Sequence, residues 1–576
     1  MTDSPLSALQ TEPGGAYQWY RHPRSSAEIL AQLDCRPPLL AQLLHNRGIT
    51  NAADARGFLA PDLGTLRDPT LLAGMEQAVD RLLRAIRDCE QIAIYGDYDV
   101  DGLTACSVLY SFLRGVGAAP HVFIPHRFRD GYGLNHRALD ELADAGAAVI
   151  VTVDCGITAI DEVARVRARG VDIIVTDHHP ALPDIPAATA VVNPNQPGCS
   201  YPFKPLAGAG VAFKLAQALA DRLGTARAHN AVLDVADLTA LGTMADIVPL
   251  VGENRVLVSA GLARMRRGPN RPGITSLARA AGVDLQAVTA ESLAFYLAPR
   301  LNAAGRLGDA RQAFDLLCTE SEAEASELAN SLNELNRDRQ GLTETFVAQA
   351  QAALLRRPPE SVVLVSGDYP LGIAGIIAAR LVDEYQLPAL VLAEVDGQLK
   401  GSARAPEPFN IAAGLHAAAP LLGRFGGHAR AAGLSLAPER FEELRVALEA
   451  HFEPLVPTGE RKPPLIIDAQ VRPETISFDT AGMLEALDPC GEGNPSPVLL
   501  WQGAEVMGHR LVGKGHLSMT LRGASKVIST ITFRPKLDPP SVGSFIDAAF
   551  EARREVWNDS PRLSLRVRDW RAPAAR

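Results

Sequence analysis

The chain has 576 residues, of which 47% are hydrophobic and 21% charged, as in a globular protein of several domains. Its formal net charge of −10 argues against a protein that coats nucleic acid over its whole surface. The seven cysteines form no C-x-x-C pair and no apolar run reaches the roughly 20 residues of a membrane span, so we expect a cytoplasmic protein without a disulfide framework, zinc ribbon or membrane partner.

The first two predicted parts of the chain are an N-terminal segment and an α/β domain. Residues 1–72 contain helical and proline-rich pieces without recognisable chemistry, and we expect them to pack on the catalytic domain, residues 73–317. In that domain, near-continuous apolar runs alternate with helical patterns such as 135–145 and 158–169, which predicts strands buried on both faces of a parallel sheet. The runs cover residues 91–96, 120–125, 147–154, 171–176 and 189–193.

Three further parts follow. Residues 318–358 predict a long connecting helix, with Gly341 as a candidate irregularity. Residues 359–455 predict a second, smaller α/β domain with strands at 361–366 and 388–394, a helix at 373–385, and glycine-rich loops to residue 433. Beyond a proline-rich hinge near 454–464, residues 463–576 contain five β-like runs separated by turns, which predicts a small C-terminal β-barrel of the OB-fold type.

The C-terminal barrel is the basic end of an acidic chain. From residue 501 onward it has 13 Lys and Arg against 7 Asp and Glu. This asymmetry fits local contact with a polyanion, although surface solubility explains it equally well. Aromatic residues also occur there, at Trp501, Phe533, Trp557 and Trp570, among basic residues that include Lys514 and Arg566. Aromatics in a small barrel are usually core residues, so the sequence assigns none of them to base stacking.

Acidic and imidazole side chains follow three of the predicted strands of the first domain. The run 91–96 is followed by Asp97, Asp99 and Asp101, and the run 147–154 ends in Asp154. The run 171–176 is followed by Asp177, His178 and His179, and Asp246 occurs later in a mostly apolar stretch. Open α/β sheets bind ligands at the carboxyl ends of their strands, so this recurrence predicts one shared site.

A metal site explains this pattern better than two simpler structures. An EF-hand loop opening at Asp97 needs a glutamate at its twelfth position, where this chain has Val108. A helix cap needs only one aspartate. Carboxylates with imidazoles favour Mn²⁺ or Mg²⁺, and several carboxylates together can hold two ions. Phosphodiester or phosphoanhydride hydrolysis is the reaction class that such a pair of ions serves.

The same residues carry a family resemblance. The segments around Asp97–Gly102, Asp154–Gly156, Asp177–His179 and Ala245–Asp246 resemble the four signature motifs of the DHH phosphoesterase superfamily. Within it, the chain resembles the RecJ family of single-strand-specific 5′→3′ exonucleases through segments 127–135, 206–214, 299–306, 401–404, 426–429 and 491–495. The matching motifs run in order from about residue 90 to the end.

This resemblance implies roles for the cluster. Asp99 and Asp101 would ligate two metal ions, Asp154 would bridge them, and His178 and Asp246 would complete one coordination shell. His179 would face the scissile phosphate, and Asp97 and Asp177 would be ligands or supports of the ligands. The expected catalytic residues are thus Asp154, His178 and His179. One departure is Tyr95, which stands where many superfamily members have a metal-binding histidine.

Substrate binding is expected on two further segments. Arg300, Asn302 and Arg306 can contact phosphate, unless the arginines pair with local acids such as Asp309. By resemblance, the second domain would hold the DNA 5′ end through Ser402, Arg404 and His428, and Tyr132 would act as a wedge or stacking residue beside the metal edge. A second departure is Tyr369-Pro370, where relatives commonly have Trp-His.

The resemblance thus implies a metal-dependent 5′→3′ exonuclease that releases 5′ mononucleotides from single-stranded DNA in repair and recombination, with its active site between two α/β domains. We expect a monomer, with single-strand-binding protein and a helicase as candidate partners. One alternative is a DHH phosphoesterase that acts on short oligonucleotides or signalling nucleotides, which generally lacks a C-terminal barrel. Another is a non-catalytic replication scaffold, against which the full ligand set weighs.

Overall fold

The computed structural model describes residues 9–457, 459, 461–513, 515–523, 526–557 and 560–573, and the side chains of residues 556 and 557 are not described. The chain divides into two compact units. The first unit contains the residues up to 59, residues 340–488 and residues 496 onward; the second contains residues 60–339 and 489–495. No helix of the described residues is both long and apolar enough to cross a membrane.

The N-terminal elements belong to the first unit. They are β1 (Gln10–Pro13), β2 (Gln18–Arg21), α1 (Ala27–Ala31), α2 (Pro38–Asn46) and α3 (Ala52–Leu59). Strand β2 pairs in parallel with Pro464–Ile467, far along the chain. The predicted single N-terminal segment, residues 1–72, is therefore divided between the two units after Leu59, because this strand pairing joins its first part to the C-terminal half.

A five-stranded parallel sheet forms the centre of the second unit, as predicted. All five expected strands are present, and their order across the sheet is β4-β3-β5-β6-β7. Apolar side chains cover both faces, which explains the uninterrupted hydrophobic runs. In chain order the elements are α4 (Met75–Arg87), β3 (Ile92–Tyr95), α5 (Val100–Gly115), β4 (His121–Phe123), α6 (His136–Asp144), β5 (Val149–Val153), α7 (Ile160–Ala168), β6 (Asp172–Thr176) and β7 (Ala190–Val192).

Helices complete the second unit and extend its core. A π-helical turn, Leu293–Leu297, interrupts this part directly before α14. The helices are α8 (Gly208–Leu223), α9 (Ala226–Asp234), α10 (Ala236–Ala245), α11 (Gly252–Arg267), α12 (Pro272–Ala281), α13 (Ala290–Ser292), α14 (Ala298–Leu307) and α15 (Arg311–Cys318).

Helix α16 (Glu322–Arg356) is the predicted long helix. It runs through Gly341 as a continuous α-helix, so the predicted irregularity there is wrong. Gly341 is exposed, and a Cβ atom at this position would meet no other atom within 4 Å. The glycine therefore costs some helix propensity without breaking the hydrogen-bond ladder.

The second α/β sheet has more strands than the sequence predicted. The expected elements β8 (Val363–Gly367), α17 (Leu371–Tyr385) and β9 (Ala389–Val395) are present. The stretch predicted as glycine-rich loops instead contains three antiparallel strands and a helix. These elements are β10 (Gln398–Arg404), α18 (Ile411–Ala417), β11 (Arg424–Gly427) and β12 (Ala431–Leu436), before α19 (Phe441–Phe452).

The C-terminal part forms the predicted barrel. Its five long strands close because β15 pairs with both β16 and β18. Strand β17 pairs in parallel with β19, which in turn pairs with β18. The elements are β13 (Pro464–Ile467), β14 (Ala469–Gln470), α20 (Phe478–Leu484), β15 (Leu499–Val512), β16 (His516–Arg522), β17 (Val527–Thr532), β18 (Phe545–Trp557) and β19 (Ser560–Arg571).

Candidate metal centre

The loop between β3 and α5 places three carboxylates at the carboxyl edge of the parallel sheet. Asp99 caps α5 by accepting a hydrogen bond from the Gly102 amide at 3.0 Å. Asp97 accepts one from the Tyr98 amide at 2.8 Å. A Cβ atom on Gly102 would lie 2.6 Å from the Cβ of Asp97, so the tight turn requires glycine. The loop therefore has one compact conformation that holds the carboxylates together.

Asp101 is held by the start of another helix. Its two carboxylate oxygens accept hydrogen bonds from the first amides of α8, Gly208 N–H at 2.6 Å and Ala209 N–H at 2.9 Å. Helix N-termini favour anions, so this contact stabilises the buried charge. In the sequence, residues 206–214 indicate only a family motif, and the Gly208-Ala209-Gly210 spacing at a helix start is the one signal that points to this role.

Asp154 follows β5 and lies at the middle of the cluster. Its backbone is left-handed, with φ of 62°, a conformation that aspartate adopts more readily than most residues. Its Oδ1 lies 3.1 Å from His178 Nε2. His178 Nδ1 in turn lies 3.7 Å from Oδ2 of Asp246, which caps the end of α10. The side chains from β5, β6 and α10 thus meet at one point.

Asp177 supports the two histidines. Its Oδ1 accepts hydrogen bonds from the His178 amide at 2.7 Å, the His179 amide at 3.1 Å and His179 Nδ1 at 2.7 Å. Its Oδ2 accepts one from the Ile157 amide at 3.0 Å. With these partners Asp177 fixes the loop after β6 and holds the proton of His179 on Nδ1.

Three groups of side chains in this cluster have the spacing of metal ligands. In each group, one ligand atom from every residue lies within 4.8 Å of the others. Asp154 belongs to two of the groups and His178 also belongs to two, so the group that contains both of them overlaps with each of the others, as expected for neighbouring ion sites. They are Asp97, Asp99 and Asp154; Asp101, His178 and Asp246; and Asp154, His178 and His179.

Burial and mutual repulsion make the cluster costly to ionise. Burial, followed by neighbouring carboxylates, raises the pKa of Asp97 and Asp154 well above the usual range. Burial also raises the pKa of Asp101, and that of Asp246 to about 8. Burial lowers the pKa of His178, but the surrounding carboxylates, Asp246 first, more than offset this, so its pKa is raised. A positive charge in the cluster would relieve this repulsion.

Divalent cations fit these residues. Asp154 Oδ1, His178 Nε2 and Asp246 Oδ2 are buried, and none has a hydrogen-bond partner in the described part of the chain. Buried polar atoms without partners are rare, and here three of them converge. Carboxylate and imidazole donors suit Mn²⁺ or Mg²⁺. Asp154, Asp246 and His178 would hold such ions together with Asp97, Asp99 and Asp101.

Tyr95 is built into the wall of the site. Its hydroxyl donates to the carbonyl of Gly133 at 3.0 Å and accepts from Asn135 Nδ2 at 3.0 Å. The side chain is fully buried. Tyr95 therefore fastens the 133–135 loop to the sheet, a role that differs from that of a ligand histidine.

Four of the predicted substrate residues lie in the same unit as the cluster. The hydroxyl of Tyr132 lies 3.3 Å from His179 Nε2, and the side chain is 58% exposed. Arg300, Asn302 and Arg306 lie on α14. Of these, Arg300 has no carboxylate partner among the described residues and donates to Asn333 Oδ1 at 3.0 Å.

The other three predicted substrate residues belong to the first unit. Ser402 and Arg404 are two positions apart on β10, so their side chains lie on the same face of the strand. His428 is exposed in the turn between β11 and β12. A Cβ atom on Gly375, in the second turn of α17, would lie 2.8 Å from Arg404 Nη2 and 3.4 Å from Ser402 Oγ. The hydroxyl of Ser402 and the guanidinium of Arg404 thus lie together against the N-terminal half of α17, and both groups can contact a phosphate.

Two other sequence observations have structural explanations. Tyr369, at the second departure from the family pattern, is buried with its ring 5.7 Å from that of Phe346. In the barrel, Trp501 and Trp570 are core residues, whereas Phe533 is 55% exposed beside Arg566. Lys514 and the side chain of Trp557 lie outside the described residues.

Three family models match successive parts of the chain. The DHH family N-terminal domain matches residues 91–243, the DHHA1 domain residues 360–453, and the RecJ OB domain residues 467–569. The match to the OB domain covers the closed barrel, and the match to the DHH domain begins at β3.

Curated and solved relatives agree with these matches. The single-stranded-DNA-specific exonuclease RecJ of Bacillus subtilis (strain 168) is 38% identical over 540 residues, covering 92% of this chain and 68% of the relative. The crystal structure of Thermus thermophilus RecJ with Mn²⁺ has a TM-score of 0.82 and 32% identity, covering 97% of this chain and 80% of that one. The crystal structure of Thermus thermophilus RecJ with Mg²⁺ has a TM-score of 0.76 and 31% identity, covering 97% of this chain and 79% of that one.

Proposed function

The chain belongs to the RecJ family and is a metal-dependent exonuclease on single-stranded DNA, and we propose that it works in the 5′→3′ direction and releases 5′ mononucleotides. The observation that carries the proposal is the convergence, at the carboxyl edge of the sheet, of three buried atoms that have no hydrogen-bond partner in the described residues, on Asp154, His178 and Asp246. Mn²⁺ and Mg²⁺ are the cofactors, in agreement with the ions in the Thermus thermophilus structures.

Each part of the cluster has a proposed role. Asp97, Asp99 and Asp101 from one loop, with Asp154, His178 and Asp246, would hold two ions, and Asp154 would be a ligand of both. When bound, the ions neutralise the scissile phosphate and acidify the attacking water. The Asp101 carboxylate stays oriented because the α8 amides fix both its oxygens.

His179 positions the substrate phosphate in this proposal. The proton on its Nδ1 is held by Asp177, so Nε2 is directed to the exposed edge beside the Tyr132 hydroxyl. Tyr132 closes this edge and contacts the terminal nucleotide. Arg300, Asn302 and Arg306 bind the strand that leads to the cluster.

The 5′ direction rests on the second α/β domain. Ser402, Arg404 and His428 would bind the 5′ phosphate, and the arrangement of Ser402 and Arg404 around Gly375 supports this assignment. We further propose action in repair and recombination as a cytoplasmic monomer, with single-strand-binding protein and a helicase as partners. All seven cysteines are free thiols, which fits a reducing compartment.

The direction is tested with single strands labelled at either end and incubated with Mn²⁺. We expect the label of a 5′-labelled strand to appear at once as mononucleotide, while a 3′-labelled strand shortens progressively. Asp154→Asn should abolish both reactions, and Asp161→Asn, an exposed carboxylate on α7, should leave them unchanged. Immediate release of the 3′ label would contradict the direction, and activity on dinucleotides alone would favour a small-substrate phosphoesterase.

A further inference from the structure

Two large aromatic side chains of the second unit are exposed and have no role so far. Phe295 is 72% exposed and Tyr296 48% exposed, although both belong to the π-helical turn Leu293–Leu297. The flanking leucines, Leu293 and Leu297, are fully buried and account for the packing of the turn. Such π-turns often mark functional positions. Packing in the core therefore does not explain why the two exposed positions, Phe295 and Tyr296, are aromatic.

Arg300 connects this turn to helix α16. Its Nη1 donates to the carbonyl of Tyr296 at 2.6 Å, and its Nε donates to Asn333 Oδ1 at 3.0 Å. Arg337 lies one helical turn after Asn333, on the same face of α16. The guanidinium of Arg300 is thus fixed between the aromatic turn and the helix that carries Arg337.

Arg300 and Arg337 form a local excess of positive charge. Burial, and then the charge of Arg337, lower the pKa of Arg300, and no carboxylate contributes. In the described parts of the chain, no carboxylate forms an ion pair with either arginine, although Glu334 and Asp338 lie on the same helix. Arg300, fixed by its two hydrogen bonds, and Arg337, one helical turn after Asn333, together favour an anionic ligand such as phosphate.

Helix α14 joins this surface to the metal centre. It begins directly after the π-turn, and a Cβ atom on its Gly305 would lie 2.7 Å from the carbonyl oxygen of Tyr98. Tyr98 lies between Asp97 and Asp99 in the loop of the cluster. From Ala298, the first residue after the π-turn, to Gly305 the α-helix rises about 10 Å along its axis. A DNA strand that occupies the metal centre can therefore reach the aromatic pair within a few nucleotides.

We propose that Phe295, Tyr296 and Arg337 extend the substrate site as a stacking subsite, in which DNA bases pack on the two rings and the arginines bind backbone phosphates. The proposal rests on the function proposed above and adds residues outside the family motifs. Exposed rings next to arginines that no carboxylate neutralises are the combination that single-strand binders use. A purely apolar protein partner would not need the two arginines.

The test measures binding without cleavage, in EDTA, by fluorescence anisotropy of labelled oligo(dT) and of an abasic strand of equal length. The Phe295→Ala/Tyr296→Ala double variant should bind oligo(dT) about 5- to 100-fold more weakly than the wild-type chain, as expected for the loss of one or two stacked bases. Its affinity for the abasic strand should not change, because that strand has no bases to stack.

Three further variants sharpen the comparison. Leu233→Ala removes an exposed apolar side chain from α9 and should bind as the wild-type chain does. Phe295→Trp/Tyr296→Phe keeps both rings and should retain affinity. Arg337→Gln should weaken binding of both strands and reduce the slope of log Kd against log salt concentration by about one, the value for one lost phosphate contact. Unchanged melting temperatures would show that the variants fold.

Wild-type affinity of the double variant for oligo(dT) would overturn the proposal and leave the aromatic pair as a surface for a protein partner. Equal losses for oligo(dT) and the abasic strand would also overturn stacking. If the wild-type chain itself neither binds nor degrades single strands, the proposed function fails, and this result is distinct from either outcome.

Discussion

At the residue scale, the metal centre consists of buried carboxylates whose negative charge must be compensated by hydrogen bonds or by a metal ion. The sequence places acids after three strands, and this was enough to predict one shared site, because parallel strands end at one edge. It did not indicate which acid is saturated by hydrogen bonds. Asp177 accepts four hydrogen bonds, whereas Oδ1 of Asp154 accepts none from the described residues and lies 3.1 Å from His178 Nε2. Only the folded loops distinguish these two strand-end aspartates.

The stability of Asp154→Asn tests this distinction. Asparagine tolerates the left-handed backbone at this position but removes a buried charge. In EDTA the variant should be more stable than the wild-type chain by about 1–2 kcal/mol, because the burial and repulsion that raise the pKa of Asp154 no longer act.

With Mn²⁺ the wild-type chain should become more stable than Asp154→Asn. The wild-type chain should gain about 2.7 kcal/mol when the ion is at a hundred times its Kd, and Asp154→Asn should gain far less. Urea unfolding with and without Mn²⁺ measures both effects. A wild-type response to Mn²⁺ in the variant would contradict the role of Asp154.

At the scale of the elements, helix α8 and the sheet edge are mutually dependent. A Cβ atom on Gly208 would lie 2.6 Å from both Cβ and Cγ of Asp154, while the Gly208 amide binds Asp101. The parallel strands were predictable from their apolar runs. Strands β10–β12 were not, because glycines such as Gly401 are typical of loops. Gly401 lies within the sheet, where a Cβ would be 2.9 Å from the Cα of Leu392.

Gly208→Ala should therefore damage the metal centre. The added methyl group must displace Asp154 or the helix start, so we expect a loss of stability of about 1–3 kcal/mol, as for other overpacked sites. We also expect metal-dependent stabilisation to fall. The matched control is Gly210→Ala in the same helix, where the nearest atom is the flexible Leu206 Cδ2 at 3.3 Å. Equal behaviour of the two variants in thermal unfolding with Mn²⁺ would contradict this explanation.

At the scale of the whole chain, the two ends are joined within the first unit. Asp569 of β19 accepts hydrogen bonds from the amides of Gly15, Ala16 and Tyr17 at 3.0–3.2 Å and from Trp19 Nε1 at 2.8 Å. These residues are more than 540 positions apart along the chain. No local sequence pattern predicts such a contact, because its partners are so far apart along the chain.

Asp569→Asn should weaken the contact between residues 15–19 and β19. The variant loses a buried charged acceptor of four donors, so we expect a destabilisation of about 2–4 kcal/mol. The fully buried Trp19 should report it as a red shift of its fluorescence at a lower denaturant concentration. Asp538→Asn, an exposed carboxylate in the same barrel, is the control and should unfold as the wild-type chain does.

The central claim is that the buried cluster holds two divalent ions bridged by Asp154. Electron paramagnetic resonance during a Mn²⁺ titration tests it most directly, because ions about 3.5–4 Å apart give a spin-coupled spectrum. The wild-type chain and Asp161→Asn should each bind two ions and show this coupling, and Asp154→Asn should lose it. A wild-type chain that binds uncoupled ions only, or an Asp154→Asn variant that retains the coupled pair, would contradict the claim.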